Sequence, residues 1–524
     1  MKSVAEDGGL TALHCAVRNG DVEIVELLLE SGAKTSIKND MGKDALSFCE
    51  TFPEIKAAIK RIEREQRTRF KGLNQEEKKS VPSANKSNSF TLQRRLSTAT
   101  TQKYDMYLLN AATMLDLFSD KEDRQKNLQL CHQEFLQKEL LTRFEDLPMG
   151  AFVIFVSHQW NSTDHPDPKG RHYHVLCKAF RDLRDGVHMV CSEPASVLAY
   201  KQNTVTRASE WKEILKNAYI WFDFWCQPQP CKAKDEMEYE RLCKELSRAV
   251  DSVASYIERS DTMMILASPS LHEDRIDKKT GRKQFTCYRT WRQRGMCVLE
   301  LFCAFLSRRQ THPVLLVRSA FDVPMWTSPL ESIKLAVGIS NFTCCETNHL
   351  GDNKTPISCN RPHALNVLNS LITSKIKHLV MKNEIVHARW ITVLRHFWVR
   401  DLEKTPSNLD IMSIKDLRKH LNWNTRCEGP WVDRENVSIL MYASCIKNSS
   451  TTVLVGDILD SFVKRERLEE FINHRIPKKG FPYVGVMGCN TSLIASMAVG
   501  SWNVACVLLE NGANPYLSDR TCGI

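Results

Sequence analysis

Ala151-Phe152-Val153-Ile154-Phe155-Val156, running directly into Ser157-His158-Gln159-Trp160, decides the fold. An unbroken run of aromatic and β-branched residues, opened by a glycine and closed by polar residues, reads as a strand buried on both faces. Working outward, the pattern recurs in Tyr219-Ile220-Trp221-Phe222-Asp223-Phe224, interrupted only by Asp223, and in Thr262-Met263-Met264-Ile265-Leu266-Ala267, which ends at Ser268. Val314-Leu315-Leu316-Val317 is a fourth strand, and Asn341-Phe342-Thr343-Cys344-Cys345 is read as a fifth. Apolar residues at helical spacing place helices between them at 172–183, 240–257 and 296–306, and a helix over 363–381 closes the unit. Strands alternating with helices predict a parallel α/β sheet covered on both faces.

In an open sheet of this kind, ligands sit beyond the carboxyl ends of the strands. Ser157, His158, Asp223 and Ser268 fall at those ends. Glu300 is the single charge in the run from Met296 to Leu306. A carboxylate set among so many apolar side chains is costly to desolvate unless something pairs with it or uses it. Arg289, Arg292 or Arg294 would be an ordinary structural partner for it. Trp160 and Phe224 suit either core packing or stacking on a ligand ring.

A chain of 524 residues exceeds one ordinary core, so about two to four structural units are expected. The net charge of +10 is concentrated between Lys60 and Lys103 rather than along a groove-reading element, which argues against nucleic acid as a partner. No apolar run is long enough to span a bilayer, and the first residues lack the hydrophobic stretch of a signal peptide, so a cytoplasmic location and no membrane contact are expected. The 19 cysteines show no repeated CxxC spacing, which fits reduced thiols. His158, His165, His172 and His174 match no standard ligand spacing, and Cys344-Cys345 is set aside as an adjacent pair, so no metal site is expected. Residues 63–104 are too polar to fold alone and read as a disordered linker. Within it, Arg94-Arg95-Leu96-Ser97 resembles a basophilic kinase substrate and makes Ser97 a phosphorylation candidate. Residues 105–146 read as a helical lead-in, with helices over 105–118 and 121–144, and residues 384–430 as a helical extension.

Both ends carry repeats. The stretch from Gly9 to Ala33 contains Thr11-Ala12-Leu13-His14, a Gly20-Asp21 break and a Leu-rich helix closed by Gly32-Ala33, and Gly9 recurs as Gly42. It resembles the ankyrin repeat, which assigns residues 1–62 to ankyrin repeats. Thr491-Ser492-Leu493-Ile494-Ala495 with Val504 to Pro515 is a second match, which assigns 431–524 to a further ankyrin-like array, read as truncated. The resemblance implies a protein partner held by the repeats.

Residues 147–383 resemble the TIR domains. The strand ending in Ser157, the Phe222-Asp223 strand end followed by the Pro-rich stretch from Gln227, the segment Ser255 to Ser270 with its terminal Ser268-Pro269, and Cys297-Val298-Leu299-Glu300 follow that family's boxes in order. The resemblance implies a flavodoxin-like parallel sheet flanked by all-α ankyrin repeats, and self-association through the TIR-like domain. It also implies NAD cleavage at the nicotinamide–ribose bond, with NAD as substrate and no required cofactor. Glu300 is then the catalytic carboxylate, and Ser157, His158, Trp160, Asp223, Phe224 and Ser268 are ligand-binding candidates. A single fixed carboxylate is chemically sufficient, because the departing ribose is oxocarbenium-like and the nicotinamide leaves neutral. A non-catalytic scaffold and a nucleotide-binding sensor remain open alternatives.

Overall fold

The computed structural model describes residues 12–19, 22, 25, 29, 35, 38, 43–47, 54–61, 98–118, 120–200, 203–276, 281–308, 313–327, 335–349, 358–402, 413–424, 428–446, 450–463, 467–478, 480–481 and 484–517. The chain divides into two units, Met1–Phe90 and Thr91–Ile524. Ser97 lies outside the described residues.

In the first unit, helix α1 (Ala12–Asn19) buries Leu13, Ala16 and Val17 in a small core with Val25, Leu29, Ala45, Ile55 and Ile59. The His14 ring reaches the Lys43 carbonyl at 3.2 Å.

The second unit is built on a nine-stranded sheet. Its strands in chain order are β1 (Tyr107–Asn110), β2 (Leu141–Arg143), β3 (Phe152–His158), β4 (Val190–Ser192), β5 (Val205–Thr206), β6 (Ala218–Phe222), β7 (Thr262–Leu266), β10 (Val314–Val317) and β11 (Met325–Thr327). A separate hairpin pairs β8 (Ser270–Ile276) with β9 (Lys283–Thr286). The spatial order of the sheet is β2-β1-β6-β3-β7-β10-β11-β4-β5.

Only the centre, β6-β3-β7-β10, is continuously parallel. Numbered along the chain, those four strands lie in the order 2-1-3-4, with a switch point where β3 meets β7. The sheet is mixed, because β1 runs antiparallel to β6, and β11 antiparallel to β10. The fifth strand expected at Asn341–Cys345 does not form. Asn341 makes one isolated bridge to Arg294, and Thr343–Glu346 is a single helical turn. The place beside β10 is taken by β11 instead. The expected lead-in helices are shorter, at Ala111–Phe118, Lys121–Asn127 and His132–Gln137, with strands β1 and β2 cut from either end of that region.

Packing explains the burial pattern. β3 and β7 are buried along nearly their full length because helices cover both faces. These include α2 (Arg171–Arg184), α4 (Glu236–Arg259), α5 (Gly295–Phe305) and α6 (Asn360–Met381). Part of the segment read as linker is packed: the Ala99 N–H donates to Glu258 at 2.6 Å, and the Lys103 N–H to the Ser252 hydroxyl at 2.7 Å, both on α4. The hydrophobic core runs without a break from Met106 through α7 (Ile385–Trp398) to Ala513. The pair of helices Ser492–Ala498 and Trp502–Glu510 belongs to this same unit. No described helix is long and apolar enough to cross a membrane.

Candidate active site at the strand ends

β3 delivers Ser157 and His158 as its last two residues, in register with Ile265 and Leu266 of β7. The Ser157 hydroxyl donates to Glu300 Oε2 at 2.5 Å and accepts from the Trp291 indole N–H at 3.1 Å. Glu300 stands in the second turn of α5, whose N-terminal end lies at the carboxyl end of the sheet.

The three nearby arginines do not neutralise it. Arg294 pairs with Glu346 at 3.3 Å and hydrogen-bonds Thr343, and Arg292 lies over the Tyr288 ring. Among the described residues, no arginine pairs with Glu300. Burial pushes its carboxyl up to about 7; the nearby Asp223 charge adds to the rise, while the Ser157 hydrogen bond and His158 oppose it.

A second group adjoins the first. His158 Nε2 lies 2.8 Å from Asp223 Oδ1, and its ring stacks on Phe222 at 4.2 Å. Asp223 opens the short helix α3 (Asp223–Cys226) and also accepts from the Trp160 indole at 2.6 Å and the Phe224 N–H at 2.7 Å. Burial raises the Asp223 carboxyl, but the His158 charge and these hydrogen bonds outweigh it and hold the group below the usual carboxylate range. His158 Nδ1 is buried with no hydrogen-bond partner among the described residues. A buried polar atom of this kind is a point from which a ligand could be held.

Two of the sequence candidates stand apart from this constellation. Phe224 is fully buried and packs edge-on to Trp160 and His165, so its ring faces the core rather than a ligand. Ser268 is drawn the other way, with its carbonyl 3.3 Å from His172 Nε2. The four histidines do not converge. His165 bonds the Leu128 carbonyl, His172 meets Asn161 and Ser268, and His174 is exposed.

Ser268 and Pro269 instead line a neighbouring groove of about 750 Å³ with Lys121, Arg124, Lys169, Arg171, His174, Ser319 and Phe321. Lys169 is tied to Glu273 at 2.6 Å and Arg124 to the Phe118 carbonyl, but Lys121 and Arg171 carry no ion pair among the described residues. Among the described residues no acidic side chain lines this groove, and Glu300 is not part of its wall. The entry to α2 is already capped, because Asp167 accepts from the Arg171 and Tyr173 N–H groups. Positive potential there therefore comes from side chains.

Sequence reasoning did not find Trp291 or the groove cations. Trp291 lies in a four-residue helix that carries no periodic signal. Lys169-Gly170-Arg171 at a helix entry was the legible sign of a basic groove. The same reading set Cys344 and Cys345 aside, yet the fold brings them together with His349 and Cys359.

No curated protein and no solved structure matches the chain. No TIR family match is found for the sheet unit. The family model that does match is the ankyrin repeat, over residues 8–40, and that repeat supports a role in protein–protein interaction.

Proposed function

We propose that the sheet unit is a TIR-like glycosidase that cleaves the nicotinamide–ribose bond of NAD, and that the ankyrin repeats hold its protein partner. The observation that carries this reading is Glu300, held by Ser157 at the switch point of the sheet with no arginine paired to it among the described residues. As the C1′–N bond breaks, its electron pair leaves with the nicotinamide ring, which needs no acid. The ribose left behind is oxocarbenium-like, and an ionised Glu300 beside it stabilises that charge. Water then adds at C1′ and gives up a proton, which a carboxylate near pKa 7 is suited to accept. His158 and Asp223 supply a rigid wall next to it. Self-association of this unit, as in other TIR-like domains, belongs to the same proposal.

The basic groove favours a second reading, a nucleotide sensor that binds phosphates without turnover. The test is NAD consumption by the full chain. Nicotinamide release that is abolished in Glu300→Gln supports the glycosidase. Binding by calorimetry with no product supports the sensor. Neither binding nor turnover leaves a protein-binding scaffold.

A further inference from the structure

Four side chains of metal-ligating type meet in the strap between the single turn Thr343–Glu346 and helix α6. Cys344 Sγ and Cys345 Sγ are 3.9 Å apart, Cys345 Sγ and His349 Nε2 3.7 Å, and Cys345 Sγ and Cys359 Sγ 3.8 Å. All four candidate ligand atoms lie within 4.8 Å of one another. A zinc ion with sulfur at about 2.3 Å and nitrogen at about 2.0–2.1 Å has tetrahedral edges of about 3.6–3.8 Å. The three separations at Cys345, 3.7–3.9 Å, lie close to those edges, the longest just beyond them.

The surrounding backbone serves the cluster. Asn348 and His349 both adopt left-handed conformations, at φ 51° and 60°, which turns the chain back after Glu346. Asparagine and histidine are among the non-glycine residues that adopt this conformation most readily. The Asn360 N–H points at Cys344 Sγ at 3.3 Å. The Arg361 guanidinium, which donates to the Gly338 and Asp401 carbonyls, brings a positive charge near the Cys345 sulfur. Donors around thiolate ligands are what a metal centre with three sulfurs requires, because zinc with three thiolates and a neutral imidazole carries one net negative charge.

We propose that Cys344, Cys345, His349 and Cys359 form a structural zinc site. Three cysteines and a histidine fill all four tetrahedral positions and leave none for water, so the ion would be structural rather than catalytic. Binding releases the three thiol protons to solvent. What the ion would hold is specific. Thr343 and Glu346 bond Arg294, the residue capping α5, and the Gly295 N–H donates to the Asn341 carbonyl at 2.8 Å. A metal in the strap therefore fixes the end of the helix that presents Glu300. This inference does not depend on what Glu300 does.

The test uses the full chain purified under reducing conditions, with elemental analysis and, after metal exchange, the visible absorption of cobalt(II). The expected result is stoichiometric zinc, and a cobalt spectrum with tetrahedral d–d bands and thiolate charge transfer. Cys359→Ser should lose both, whereas Cys231→Ser and Cys506→Ser, at exposed cysteines elsewhere, should keep both. If Cys359→Ser does not fold, the parent's cobalt spectrum and its loss of melting temperature on chelation still decide the matter. Absence of zinc, with no cobalt bands after reconstitution, overturns the proposal. A disulfide within the cluster in freshly reduced and re-exposed protein, with no metal taken up, overturns it as well.

Discussion

Folding opposes ionisation of Glu300, because its carboxyl is taken out of water and offered one hydroxyl in return. Its value in the folded chain, about 7, lies above the ordinary 4.5, so the protonated form is the one that folding favours. The stabilisation is fully present below 4.5 and is lost as pH rises through about 7. The shift corresponds to no more than about 3 kcal/mol, reduced by the partial exposure of the residue. Glu300→Gln should accordingly match the parent's urea midpoint at about pH 4 and exceed it at about pH 8. NAD consumption by the parent should rise with pH through about 7, since the ionised form is the one that stabilises the ribosyl cation. The Gln variant should show none at either pH, a loss of several orders of magnitude. A variant that is less stable than the parent at pH 8 would mean that the carboxylate has a cationic partner after all. For the groove, the double change Lys121→Ala with Arg171→Ala should weaken nucleotide binding at least tenfold without shifting the melting temperature, because neither side chain carries an ion pair within the described residues. Ser157, His158, Asp223 and Glu300 were legible because each interrupts an apolar run at a strand end or on a helix. Trp160 was legible as an aromatic, but its bond to Asp223 was not, since that contact joins residues 63 apart in sequence.

Strands and helices were readable where they were long and uniformly apolar, as in β3, β7 and α5. The edge strands were not: β2 has three residues and β5 two, too few for alternation to register. Asn341–Cys345 has the composition of a strand but is held away from the sheet by its contact with α5. There the Phe342 ring covers Gly295, and a Cβ added at Gly295 would stand 2.6 Å from that ring. Gly295→Ala should therefore push Phe342 off the helix start, destabilise the unit by about 1–3 kcal/mol in denaturant titration, and slow any Glu300-dependent turnover. An alanine variant with parental stability and turnover would show that the ring has room to move. The cysteine cluster was hidden for a related reason, because its fourth member lies 14 residues beyond Cys345 and only the packing of α6 against the strap brings it back.

Across the whole molecule, the ankyrin repeat over residues 8–40 was legible from its motif, but the shared core of the second unit was not. Its helices after residue 384 are joined to α5 through ring contacts such as Phe302 with Trp398 at 5.4 Å, and to one another through Trp390 with Tyr442 at 4.9 Å. A buried charge network fixes those later segments to one another. Arg389 bonds both oxygens of Glu428 at 2.9 and 2.7 Å, Asp433 at 3.3 Å, and the carbonyls of Leu421 and Asn422, while Tyr442 donates to Asp433 at 2.8 Å. Removing the cation alone strands two buried carboxylates. Arg389→Met should cost about 3–5 kcal/mol, and adding Glu428→Gln and Asp433→Asn should recover much of it, as read from urea midpoints of the single and triple variants.

The unbroken core from Met106 to Ala513 also constrains how this chain is inherited. A recombination or splice break near residue 384 would expose Trp398 on one product and the α5 face around Phe302 that receives it on the other. The sheet and the helices after it are thus expected to have descended together, and natural variants should place their insertions elsewhere.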